Sequence, residues 1–180
     1  PTVVAKEALE GPVVVAFADT LFRADFTLDT EKDGIIWVQK VEDPKAYGVI
    51  KMNENNVITD FIEKPEEFVS DLAIIGIYFF KDGLKLSDEL QYLIDNNITE
   101  KGEFQLTNAL ENMKQKGAEF YPGKVDEWLD CGNPVAAVHA NKRVLEYTAK
   151  DGARKALNIE NAHILEPCYI GANVQLKNCT

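Results

Sequence analysis

The sequence predicts an α/β fold: a mixed, mainly parallel sheet flanked by helices, followed by the start of a left-handed parallel β-helix. Three observations carry this. Strand-like apolar runs alternate with stretches of helical periodicity. One run, "DLAIIGIYFF", is apolar almost throughout, as suits a strand covered on both faces. From Ala162 on the rhythm changes: Ile164, Ile170 and Leu176 recur every sixth residue, with Ala162, Cys168 and Val174 two places before them. The expected division is an α/β domain over 1–150, then a linker and a first hexapeptide coil over 151–180.

The chain opens "PTVVAKEALEGP" without an initiating Met, and Val4, Ala5, Ala8 and Leu9 already follow a helical pattern. The expectation is a chain cut inside a larger domain. "VVVAFADTLF" is an apolar run with its polar residues, Asp19 and Thr20, at the end, and reads as a strand buried in a parallel sheet. "GIIWVQKV" reads as another strand. "YGVIKM" and "VITDFIEKP" flank "NENN" as a hairpin, which makes the sheet mixed. "LSDELQYLIDNN" predicts a helix capped by Ser87, and "LTNALENMKQKG" a helix closed by Gly117. "AEFYP" and "VDEWLD" read as short strands. "PVAAVHANKRVLEYTAK" predicts a helix with Asn133 as cap and Pro134 in its first position. A terminal solenoid coil cannot bury its face alone, so either the chain continues past Thr180 or another subunit covers the edge. A homo-oligomer is expected.

Of 180 residues, 46% are apolar and 27% charged, the balance of an ordinary soluble protein. A net charge of −11 argues against nucleic acid or an anionic membrane surface as partner, because both demand a basic footprint. An anionic substrate would need its own local cation. Cys131, Cys168 and Cys179 form no CxxC pair and read as reduced thiols, so a cytoplasmic protein is expected. No apolar run is long enough to span a bilayer.

Two carboxylates end strands: Asp19 in "AFADT" and Asp130 in "WLDCG". Open α/β sheets bind ligands beyond the carboxyl ends of their strands, and two converging Asp side chains suit Mg²⁺. For either Asp alone, a turn or capping role is the commoner meaning, by about two to one. In "FIEKP", Lys64 is a candidate point charge for a phosphate and Glu63 an acceptor for hydroxyls. The plain alternative is a solvated ion pair on an edge strand. His139 and His163 lack a partner at ligand spacing, and Cys131 lacks a His/Asn arrangement to activate it. There is no P-loop, GxGxxG or GxSxG.

Taken in order, "AFADTLF", "YGVIKMNENNVITDFIEKP", "LAIIGIYFF", "KGEFQLTNAL" and "EWLDCGNP" resemble the sugar-1-phosphate nucleotidyltransferases, and most of all the glucose-1-phosphate thymidylyl- and uridylyltransferases. The resemblance runs from about the first residue to the helix after Pro134. It implies an incomplete nucleotide-diphospho-sugar transferase fold, with nucleoside triphosphate and sugar-1-phosphate as substrates. By resemblance, Asp19 and Asp130 are Mg²⁺ ligands, Glu63 contacts sugar hydroxyls and Lys64 clamps the sugar phosphate. Tyr47-Gly48 brings a backbone amide to the sugar, Gly76 leaves room beside it, and Glu103 lies close by. The implied reaction is attack of a sugar-1-phosphate oxygen on the α-phosphorus, releasing pyrophosphate, with catalysis by positioning and charge stabilisation.

Two departures stand out. Thr107-Asn108 replaces the usual Thr-Asp, a change expected to touch a helix cap more than the chemistry. The family's opening strand and its "GxGTRxxPxT…PK" loop are not in this chain, so the chain alone is expected to be inactive. A regulatory or assembly subunit acting through its β-helix edge is the alternative. A hexapeptide acyltransferase fragment is discouraged by the lack of a catalytic His in the coils, and a glycosyltransferase by the lack of a DxD motif.

Overall fold

The computed structural model describes residues 6–100, 102–150, 158–171 and 173–179. Val4 and Ala5, the linker over 151–157, and Ala172 of the hexad tail lie outside them. Packing divides the chain into two compact units, Pro1–Trp128 and Leu129–Thr180.

The first unit is organised on β6 (Leu72–Phe80), whose residues 73–80 are all buried. Along one edge runs β3 (Gly34–Lys40), antiparallel, from Gly34↔Phe80 to Lys40↔Leu72. The other edge is shared. There β1 (Val13–Ala16) pairs with the carboxyl half of β6, and β4 (Gly48–Met52) meets Ala73. Beyond β4 lies β5 (Ile58–Glu63), and beyond β3 lies β7 (Phe120–Lys124). The sheet is mixed, as expected, but not mainly parallel. Among its described ladders only β3–β7 is parallel. Parallel neighbours need a long crossover, and β3 and β7 are the pair with both helices of this unit between them in the chain.

The hairpin forms where "NENN" predicts it. The Asn53 Oδ1 accepts the N–H of Asn55 and of Val57, both at 3.0 Å, and Asn56 takes a left-handed φ of 57°. "VVVAFADTLF" is not one strand. It breaks into β1 and β2 (Thr20–Arg23), and β1 alternates between half-buried and exposed rather than being buried throughout. The break has a cause on β6. Phe17 N–H donates to Gly76 O at 2.9 Å and Thr20 Oγ1 to Ile75 O at 2.9 Å, which turns the chain away from the sheet at 17–19.

Helix α1 (Gly83–Asp95) starts four residues ahead of Ser87, which is buried inside it. Its cap is Asp82, whose Oδ1 accepts Lys85 N–H at 3.2 Å. Helix α2 (Leu106–Gln115) is closed by Gly117 at φ +97°, as its position predicts. α2 lies along β5, and the Lys114 ammonium donates to Thr59 O. β6 is covered on both faces. Ile74, Tyr78 and Phe80 join Leu86 and Leu110 of the helices, while Ile75, Ile77 and Phe79 join Ile35 and Trp37.

The division between units falls inside β8 (Glu127–Asp130). In the second unit α3 (Pro134–Lys150) begins at the expected cap, Asn133 Oδ1 accepting Ala136 N–H at 3.0 Å. The tail holds two short parallel strands, β9 (Asn158–Glu160) and β10 (Gln175–Lys177), in the register Leu176↔Ile159. Asn161 and Asn178 both adopt left-handed backbone and are joined side chain to side chain at 2.7 Å.

A Cβ at Gly34 would lie 2.5 Å from Phe120 Cδ1 and 3.0 Å from Phe79 O. Gly34→Ala is therefore expected to destabilise the fold by about 1–3 kcal/mol through overpacking. A urea titration checks this: the midpoint should fall while the slope holds, and an unchanged midpoint would show that Phe120 has room to move.

Candidate active site

The sheet delivers two neighbouring strand ends. Glu63 closes β5 directly opposite Gly48, which opens β4. Its side chain is only 14% exposed, and its Oε2 accepts the Thr107 hydroxyl at 3.2 Å. Gly48 makes this possible, since a Cβ there would stand 3.0 Å from that oxygen and 3.2 Å from Thr107 Cγ2. Successive side chains on a strand point to opposite faces, so Glu63 and Lys64 should diverge. They do not, because Lys64 has φ +39°. Left-handed backbone breaks the alternation and brings Lys64 Nζ to 3.9 Å from Glu63 Oε1. For a residue with a Cβ this conformation costs roughly 1–2 kcal/mol. Lys64 N–H donating to Tyr47 O at 3.1 Å and the buried Pro65 behind it hold it there.

Burial pushes the Glu63 carboxyl above its ordinary pKa, against the opposing pulls of the Thr107 hydroxyl and the Lys64 charge. Glu100 and Glu103 add to the upward push. These two belong to a tight turn closed by reciprocal backbone bonds of 2.9 and 3.0 Å around Gly102 at φ +83°. Glu103 is exposed, and its Oε2 accepts Gln105 Nε2 at 3.2 Å. The buried Tyr78 hydroxyl is pushed up by desolvation and then by the charge of Glu63. Tyr47 packs edge-on against Trp128, centroids 5.2 Å apart, and the indole Nε1 of Trp128 is buried with no hydrogen-bond partner among the described residues.

Asp19 sits exposed in the turn between β1 and β2, just past the carboxyl end of β1. That turn rests on Gly76, whose φ of +81° marks the irregularity in the β3–β6 ladder. The room at Gly76 is filled by protein: a Cβ would fall 2.9 Å from Phe17 Cδ2. Gly76 thus seats the Asp19 turn. The Phe17 ring in turn lies 5.6 Å from Tyr78, which links this turn to the Glu63 side of the sheet. Asp130 lies in the second unit, where its Oδ1 accepts Gly132 N–H at 2.8 Å. That bond fixes the carboxylate at the strand end.

The structure therefore brings together Tyr47, Gly48, Glu63 and Lys64, with Glu103 in their field, while Asp19 and Asp130 fall in separate units. Among the described residues no group of three or more His, Cys, Asp or Glu is arranged to hold a metal. The sequence marks Thr107 only as part of Thr107-Asn108 beside an expected helix cap, and gives no sign of its contact with Glu63, nor of Tyr78 and Trp128. The cap of α2 is Gln105, and the Thr107 hydroxyl is turned onto Glu63 instead.

The family model described as nucleotidyl transferase matches residues 8–147. A bifunctional sugar-1-phosphate nucleotidylyltransferase/acetyltransferase of Sulfurisphaera tokodaii is 36% identical over 65% of this chain and 28% of its own length. A glucose-1-phosphate thymidylyltransferase of Streptomyces antibioticus is 26% identical over 79% of this chain and 43% of its own. Among solved structures, a UDP-glucose pyrophosphorylase complexed with UDP-glucose superposes with a TM-score of 0.62 at 25% identity, over 81% of this chain and 61% of that one. The chain spans about 28–43% of the length of these curated relatives. With 140 consecutive residues under one family model, the chain belongs to the nucleotidyl transferase family.

Proposed function

We propose that the chain carries the sugar-phosphate and metal half of an enzyme that transfers a nucleotidyl group from a nucleoside triphosphate to a sugar-1-phosphate. The observation that carries this is the Glu63–Lys64 pair: a mostly buried carboxylate and an exposed ammonium forced onto one side of a strand end. A sugar-1-phosphate asks for that combination, an acceptor for its hydroxyls and a point charge for its phosphate. At 3.9 Å from Glu63, Lys64 is loosely held and can swing to the phosphate. It would then orient the attacking oxygen toward the α-phosphorus, where the new P–O bond forms as the bond to pyrophosphate breaks. Tyr47-Gly48 presents its backbone to the sugar, and Glu103 offers a second acceptor.

Asp19 and Asp130 supply hard carboxylate oxygens of the kind Mg²⁺ takes, and the ion when bound neutralises charge on the α-phosphate. Residues 1–150 form the transferase part in this reading, with 151–180 a linker and the start of a hexapeptide β-helix. The parallel pairing of β9 with β10 and the Asn161–Asn178 bond support the latter. Leu165 and Tyr169, 67% and 71% exposed, suit a tail covered by another subunit of a homo-oligomer. No helix among the described residues is long and apolar enough to cross a membrane, and a cytoplasmic location is part of the proposal.

The test is pyrophosphate release with Mg²⁺ over a panel of nucleoside triphosphates and sugar-1-phosphates, on this chain and on any longer form that carries it. Asp130→Asn in an active form should cut turnover by about a hundred-fold or more and leave the circular dichroism unchanged. Normal turnover would remove Asp130 from the site. Silence across the panel in every form, with sugar nucleotides still bound, would favour the regulatory reading.

A second prediction concerns stability. Because the folded pKa of Glu63 lies above its unfolded value, its ionised form disfavours the native state, and stability is lost as pH rises through the folded pKa. Glu63→Gln should therefore raise the melting temperature at pH 7 and weaken sugar-1-phosphate binding by about ten-fold or more. The thermal gain should vanish below the ordinary carboxylate range. A variant less stable at pH 7 would show that the ionised group is well accommodated.

A further inference from the structure

We infer that Thr107 is a positioning residue for Glu63: its hydroxyl fixes which carboxylate oxygen faces the sugar. The inference rests on the reading of Glu63 as the sugar contact. Thr107 is 5% exposed. It lies in the first turn of α2, where a short polar side chain is usually occupied by the helix's own N–H groups. Here the N-cap position falls to Gln105, which makes no side-chain cap bond, and the Thr107 hydroxyl reaches Glu63 instead. The partnership spans 44 positions in sequence and is buttressed from two sides. Gly48 leaves the space the carboxylate occupies, since any Cβ there would meet Oε2 and Thr107 Cγ2 together. The far end of α2 is tied to the same strand by Lys114 on Thr59 O. The helix therefore cannot slide along β5 without losing one anchor or the other.

The consequence is an asymmetric carboxylate. Oε2 is engaged by Thr107, so Oε1, the oxygen nearer Lys64, is the one aimed at substrate. A hydroxyl hydrogen bond also stabilises the ionised form. That matters because the other charged groups acting on Glu63 are Lys64, next to it in the chain, and Glu100 and Glu103 on the loop before α2, while the Tyr78 hydroxyl on β6 faces it and is itself raised by its charge. Lys64 alone among them favours ionisation. When Lys64 moves to a phosphate, Thr107 is what remains to hold Glu63 as an acceptor.

The experiment follows the Glu63 carboxyl carbon by ¹³C NMR through a pH titration of this chain, in wild type, Thr107→Val and Thr107→Ser. Glucose-1-phosphate affinity is measured by calorimetry on the same samples. Thr107→Val is nearly isosteric and loses only the donor. It should move the Glu63 titration to higher pH and weaken sugar-phosphate binding about five-fold or more at neutral pH, and Thr107→Ser should restore both. An unmoved Glu63 titration in a Thr107→Val chain whose amide spectrum stays native overturns the inference. So does a moved titration with unchanged affinity, which leaves the sugar site standing without Thr107. If Thr107→Val unfolds, Thr107→Ala decides, since it too removes the donor: a Glu63 titration moved to higher pH upholds the inference, and an unmoved one overturns it. A wild-type chain that binds no glucose-1-phosphate, yet shows the Thr107-dependent titration, upholds the couple and overturns the sugar-site reading instead.

Discussion

Backbone pairing along both edges of β6 is the constraint from which the rest of the first unit follows. Eight consecutive buried residues need partners for their N–H and C=O groups within the protein; β3 on one side and β1 and β4 on the other supply the ladders, while Phe17 and Thr20 take the carbonyls of Gly76 and Ile75. Two strands sharing one edge must meet somewhere along it. Gly76 lies in that interval, and only a residue free of a Cβ fits its φ of +81° with Phe17 against it. The irregularity thus places both clusters of candidate residues. It turns the Asp19 segment off the sheet on one side and leaves β4 and β5 to present Gly48 and Glu63 on the other.

Much of this was legible in the sequence. The apolar run of β6, the "NENN" hairpin, the Asn133 cap and the Gly117 stop each have local causes that act within a few residues, and each falls where its pattern predicts. The larger misreadings have non-local causes. "VVVAFADTLF" reads as one strand until Ile75 and Gly76, some sixty positions later, supply the acceptors that bend it. Ser87 is a good cap in isolation, but Asp82 caps the helix a turn sooner and Ser87 is packed inside it, an error of local competition rather than of distance. Strand direction is set by connection lengths and partners, which composition does not encode, so a mainly parallel sheet was expected where a mainly antiparallel one exists.

The candidate site shows the same split. Residue type alone singled out Glu63 and Lys64, yet a strand pattern assigns them to opposite faces. What makes them a pair is a backbone angle at Lys64 that no propensity scale favours. The motif marks Thr107 beside Asn108, but its pairing with Glu63 could not be found by motif because the partner is 44 positions away. The glycine that admits the contact is notable only when the two strands are laid side by side.

The left-handed backbone at Lys64 has an evolutionary consequence. Glycine or asparagine would occupy that conformation at lower energy, and a neutral side chain before it would rest more easily in its buried pocket. Selection for heat resistance alone should therefore relax these two adjacent codons before those of the β6 core. A library screened for thermal survival should drift at 63 and 64 long before it drifts in the β6 core, and such drift would mark the site without any ligand in hand.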